Sequence, residues 1–202
     1  MSFLTGTNVE LIYANTSVGA SLNTFTTEAQ LNTTATMGVQ CHLPPDFWLP
    51  NQNAVGRGIK IVARGTLAST ATPTFTFTVR GGATGNVASA PVIAGTGAMA
   101  TISGATTSQW TFEVDCILKT LAAAGANSTI FSVGQFSSDA IAATANCAIA
   151  GGLTTAGTLV APGTITTLDT SITNYINFNV ACSASSASNI AALQSLLVYG
   201  LN

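Results

Sequence analysis

Two carboxylates, Glu113 and Asp115, stand two residues apart in a segment where apolar and polar residues alternate. On a β-strand that spacing puts both on one face, about 7 Å apart at Cα, which suits a glycosidase acid and base or the oxygens around a hard cation. A structural reading of the same pair is stronger. Lys119 follows on that face, and Arg57, Lys60, Arg64 and Arg80 are available across a sheet, so the charges read as the solvated, ion-paired side of a strand. The sole histidine lies in Cys41-His42-Leu43-Pro44-Pro45-Asp46. A nucleophilic site there needs the thiolate beside a base that a third group orients, but adjacent residues of an extended chain point to opposite sides. His42 is therefore expected to be a loop residue facing solvent or a neighbour.

Gly95-Thr96-Gly97-Ala98-Met99-Ala100 fits a degenerate phosphate-binding fingerprint, which works only where a strand leads into a helix N-terminus. The next residues, Thr101-Ile102-Ser103-Gly104, start no helix, and a loop is expected. Cys41, Cys116, Cys147 and Cys182 are widely spaced without a C-x-x-C pair, so packed, reduced thiols are expected rather than a zinc or redox site. No catalytic, cofactor-binding or metal-binding residue is assigned.

The elements that must position these residues are strands. Thr74 to Arg80 sets Phe75, Phe77 and Val79 on one face and Thr74, Thr76, Thr78 and Arg80 on the other. Arg57 to Gly65 divides likewise into Ile59, Ile61 and Ala63 against Lys60, Val62 and Arg64. Trp110 to Leu118 places Trp110, Phe112, Val114, Cys116 and Leu118 inward. Further strands are expected at Ser128 to Phe136, Asn146 to Ala150, Thr164 to Leu168, Tyr175 to Cys182 and Ala192 to Leu201. Turn clusters at Gly81 to Asn86, Gly151-Gly152, Pro162-Gly163 and Ser183 to Ser188 separate them. Helical turns are plausible only at Ala140 to Ala145 and Ser188 to Leu197. About eight short strands with such connectors predict an all-β, antiparallel sandwich or barrel.

Residues 1–40 differ, with Asn15 to Thr36 rich in Thr, Asn and Ser and poor in large apolar residues. They are expected to be an N-terminal arm or peripheral strand, either a flexible terminus or a segment ordered by a neighbouring subunit. Residues 41–202 are expected to be the sandwich domain.

Only 5 Lys and Arg and 7 Asp and Glu occur among 202 residues, far below the roughly 25% charged content of ordinary domains. A surface of neutral hydroxyls and amides loses little on burial, whereas charges must be paired to be buried cheaply, so the composition points to assembly. A net charge of −2 with five scattered basic residues excludes a phosphate-tracking patch, and no nucleic-acid partner is expected. No run approaches the ~20 apolar residues of a spanning helix, so no membrane partner is expected either. Met1-Ser2-Phe3-Leu4-Thr5-Gly6 lacks the basic and apolar regions of a secretory signal, which predicts folding in the compartment of synthesis.

Leu43-Pro44-Pro45-Asp46-Phe47-Trp48-Leu49-Pro50, Gly56 to Leu67 and Pro73 to Gly82 together resemble the opening of a jelly-roll domain of tailed-bacteriophage virion proteins. Trp110-Thr111-Phe112-Glu113-Val114 resembles its next strand, and Ile190 to Asn202 its closing strand, so the resemblance covers about residues 40–202. It implies a jelly roll and a non-enzymatic virion structural protein, a decoration or cement protein stabilising the head shell. A homotrimer would match local three-fold positions of the shell. The implied partner is the major capsid protein, with synthesis in the host cytoplasm and residence on the capsid surface. Two other readings remain open. A tail component or receptor-binding tip would expose aromatic rings, with Trp48, Tyr13 and Tyr199 as candidates. A glycan-binding or hydrolytic β-sandwich enzyme would use Glu113 and Asp115.

Overall fold

The computed structural model describes residues 9–49, 57–83, 90–104, 107–123, 128–142, 147–150 and 168–201. Among them the strands are β1 (Val9–Asn15), β2 (Ser21–Leu22), β3 (Ala29–Gln30), β4 (His42–Leu43), β5 (Gly58–Ala68), β6 (Thr74–Gly82), β7 (Val92–Gly95), β8 (Met99–Ala100), β9 (Ser108–Thr120), β10 (Thr129–Ser138), β11 (Cys147–Ala150), β12 (Asn174–Cys182) and β13 (Ile190–Leu201). One short helix, α1 (Thr34–Met37), interrupts the arm.

The alternation in the sequence sets the long strands. Phe75, Phe77 and Val79 of β6 are fully buried, while Thr74, Thr76, Thr78 and Arg80 are partly exposed. In β9 the expected inward set from Trp110 to Leu118 is buried throughout. Hydrogen bonds link the strands in the order β1-β13-β5-β9-β10-β11-β7-β6-β12-β3. The path folds into two layers, because rings from its distant parts meet across the core. Phe77 of β6 lies 5.0 Å from Trp110 of β9 and 4.9 Å from Phe136 of β10, and Phe178 of β12 lies 5.0 Å from Phe112 of β9. This aromatic cluster is the centre of the core, where close ring pairs add to the burial of large apolar surface.

Eight strands pair in nested order: β5 with β13, β6 with β12, β7 with β11, and β9 with β10. First pairs with last and the innermost pair is a hairpin, the pairing order of a jelly roll. The all-β antiparallel sandwich expected from the sequence is therefore the observed architecture.

The described part of the arm, with the two strand residues that follow it, pairs with its own chain. β1 and β2 add to β13, and β3 and β4 add to β12. The segment thus straps the open side of the sandwich, where β12 and β13 would otherwise present unpaired edges. Its Asn and Thr side chains suit that task, since an edge needs hydrogen-bond partners more than apolar area. Asn32 shows how: its Nδ2 donates to Ile176 O at 2.9 Å, and its Oδ1 accepts from Phe178 N at 2.8 Å. Leu31 and Leu43, both fully buried, anchor the strap in the core.

Several details differ from expectation. β7 forms where no strand was foreseen, because Val92-Ile93-Ala94-Gly95 is short and half small residues. The expected turn at Gly81-Gly82 is instead the end of β6. The helical pattern around Ser188 to Leu197 arises from a bulge in β13: the register shifts between Leu193 and Ser195, so buried Leu193 and Leu196 fall three apart. Of Thr164 to Leu168 only Leu168 is described, buried and outside any strand. Residues 84–86, 143–146, 151–152 and 162–163, which carry other expected turns and element ends, lie outside the described residues.

Candidate functional site

The two outer faces of the sandwich are unlike each other. On the β6 and β12 side the strap provides cover. Glu28 reaches Arg80 and Thr78 on β6, and Gln30 and Gln40 converge on Asn177 of β12. Asn177 and Asn179 are fully buried there although they face away from the core.

The outer face of β13, β5, β9 and β10 has no such cover among the described residues. Strand registers fix its rows. Val9, Leu201, Gly58, Ile117 and Phe131 form one row, and Leu11, Tyr199, Lys60, Asp115 and Val133 the next. Leu197, Val62, Glu113 and Gln135 make the third, and Ser195, Arg64, Thr111 and Ser137 the fourth. An outer sheet face is ordinarily polar, yet these four rows mix aliphatic and aromatic residues with four charges. Val9, Leu11 and Val133 are exposed, at 59%, 53% and 49%.

Charge is ordered across this face. The cations Lys60 and Arg64 lie on β5, and the anions Glu113 and Asp115 on its neighbour β9. Lys60 Nζ stands 3.8 Å from Glu113 Oε2, while one carboxylate oxygen of Asp115 is shielded from solvent without a hydrogen bond. Lys119 lies over the Phe131 ring at 5.5 Å. Lys60, Glu113, Asp115, Val133 and Gln135 surround an open depression of about 230 Å³.

The sequence-derived candidates distribute as follows. Glu113 and Asp115 share one face with Lys60, the ion-paired arrangement expected of a strand surface, and that face is open rather than a cleft. Cys41 is buried and His42 exposed, on opposite sides of the chain, with His42 Nδ1 3.3 Å from Gln40 O. Burial pushes the Cys41 thiol up to about 12, so it stays protonated and is a poor nucleophile. Gly95 to Ala100 joins β7 to β8, and the Thr96 hydroxyl oxygen accepts from Phe77 N at 2.9 Å. Among the described residues no group of three His, Cys, Asp or Glu side chains is placed to hold a metal ion. None of the described helices is long and apolar enough to cross a membrane.

Trp48 corrects one expectation. It is 1% exposed and packs edge-on against Phe47 at 5.8 Å, so it belongs to the core and presents no ring to a ligand. Tyr13 is partly buried, its hydroxyl donating to Val39 O at 2.8 Å. Tyr199 does stand on the open face. Sequence reading missed the apolar character of that face, because Leu197, Tyr199 and Leu201 alternate with equally apolar inward residues and so give no period-two signal. A scan of protein-family models and searches of curated proteins and of solved structures return no match to this chain.

Proposed function

We propose that the protein is a non-enzymatic structural component of a virion, decorating the head shell of a tailed bacteriophage and binding its major capsid protein as a homo-oligomer. One observation carries this reading: the strap covers one face of the sandwich, and the opposite face keeps apolar residues and balanced charge available to protein partners. The resemblance of residues 40–202 to phage jelly-roll domains supplies the setting. The surface outside the charged rows is rich in Thr, Ser, Asn and Ala, which exchange water for protein contacts at small cost. A homotrimer on three-fold positions is one assembly state of this reading.

Reconstruction of intact particles by electron microscopy tests it. Density for the sandwich on the outer shell is expected, and density at the tail tip would replace the proposal with the tail reading. Shell binding should persist in about 1 M salt, where screening removes exposed charge interactions. Release at that salt would show that charge, not apolar and amide contact, holds the protein in place.

A further inference from the structure

The open face is self-complementary. Lys60 and Arg64 occupy β5 and Glu113 and Asp115 the adjacent β9, with Lys119 at the far end of β9 beyond these rows, while apolar residues lie on either flank: Leu197, Tyr199 and Leu201 on β13, and Phe131 and Val133 on β10. Rotation by half a turn about an axis along the seam between β5 and β9 turns the face over and keeps each row in place. β5 then lies over β9 of the second copy, and β13 over its β10.

We propose that this face is a dimer interface, in which two copies pack sheet on sheet about that two-fold axis. Each row finds a match. Lys60 lies opposite Asp115 of the second copy, the carboxylate that Lys60 does not pair with in its own chain. Glu113 of one copy falls between Lys60 and Arg64 of the other, and among the described residues Arg64 has no ion-pair partner at home. Tyr199 covers Val133, and Leu201 covers Phe131. Facing sheets pack about 10 Å apart with strand directions within about 30° of each other, a range that includes the aligned strands of this pairing.

The area is sufficient. Four strands about 4.8 Å apart, over some ten residues at about 3.3 Å each, make a face of roughly 630 Å² on each partner, at the lower end of the standard range for stable interfaces. A contact that maps a patch onto itself closes at two copies, so the association is finite. The inference uses the same open face that carries the virion reading, but its test reads the mass of the free chain and that of the virion reading is made on particles, so the failure of one is distinguishable from the failure of the other.

Charge reversal distinguishes this pairing from any other. Lys60→Glu puts two like-charged pairs into the dimer, and so does Asp115→Lys, so each variant alone should dimerise about a hundredfold more weakly than the wild type. Mixed together they should form a heterodimer. The carboxylate introduced in one chain then meets the ammonium introduced in the other, while the unaltered Asp115 of the first meets the unaltered Lys60 of the second. The in-sheet pair within each chain stays repulsive in the mixture, so rescue can arise only between chains. Light scattering and analytical ultracentrifugation of the purified full chain read the mass, and circular dichroism confirms that each variant is folded. Val133→Arg, at an exposed position, should also give a folded monomer and decides the matter if a charge variant fails to fold. A wild type that is monomeric at about 100 μM or trimeric, a dimer indifferent to Val133→Arg, or a mixture of folded charge variants without heterodimer would each overturn the proposal.

Discussion

Arg80 holds Glu28 by two hydrogen bonds, Nε donating to Oε1 at 2.8 Å and Nη2 donating to Oε2 at 2.6 Å. The Thr78 hydroxyl donates to the same carboxylate. The pair fixes the strap to β6 across 52 residues of sequence, with both side chains about one-fifth exposed. Fork-to-fork geometry and partial burial make this a stronger pair than an ordinary surface ion pair.

Replacing Glu28 by Gln should therefore cost about 2 kcal/mol, read from the urea midpoint. Acid should act in the same direction. Burial tends to raise the Glu28 pKa, but the hydrogen bonds and charge of Arg80 outweigh it and hold the carboxyl below its ordinary value. The pair's contribution is thus complete above the unfolded carboxylate's pKa of about 4.3 and is lost as pH falls through the lower folded value. Stability of the wild type should converge on that of Glu28→Gln as pH falls below about 4, and a difference unchanged at acid pH would refute the ionic account.

Gly65 is required by Trp110. A Cβ at residue 65 would lie 1.9 Å from Ala192 O and 2.4 Å from Trp110 Cζ2, so the indole and the β13 backbone occupy the space any side chain would need. The ring is held there by its own donor, Nε1 giving a 3.0 Å hydrogen bond to Thr66 O. Gly65→Ala should destabilise the fold by about 3 kcal/mol or more, because the clash falls on a backbone carbonyl that cannot turn away. Chemical denaturation would show it, and a loss below about 1 kcal/mol would mean that β5 and β13 separate easily.

Much of the sandwich was legible in the sequence because its core strands alternate cleanly, as Phe75, Phe77 and Val79 and the run from Trp110 to Leu118 do. The strap was not legible. Its strands are two residues long in three cases out of four, and Asn32 pairs through its side chain, so neither periodicity nor propensity records that the segment is a sheet edge. The face was legible for its charges and opaque for its apolar residues. Glu113, Asp115 and Lys60 announce themselves by type, whereas Val62 faces outward at 5% exposure because its neighbours enclose it, a tertiary effect.

The buried thiols give a prediction that separates packing from chemistry. Burial raises Cys41 and Cys116 to about 12, so almost no thiolate forms near neutrality and access is also closed. Neither should react with iodoacetamide in the folded protein at pH 8, and both should react once it unfolds in denaturant. Modification of Cys41 in the native state, with loss on His42→Ala, would revive the nucleophilic reading of that segment.

The strap should behave as a part of the sheet, and Asn32 provides the means to test it. Its side chain replaces the backbone of a missing strand residue, serving Ile176 O and Phe178 N while itself 1% exposed. Asn32→Leu keeps the approximate volume but leaves that carbonyl and that amide buried without partners, at a cost of about 3 kcal/mol. The loss should also be local. The Phe178 amide should exchange with solvent hydrogen far faster than in the wild type, while amides at the centre of β9 slow or quicken only with global stability. If Phe178 keeps its protection, β12 has another partner on that side, and the arm is an accessory to the sandwich rather than its closing edge.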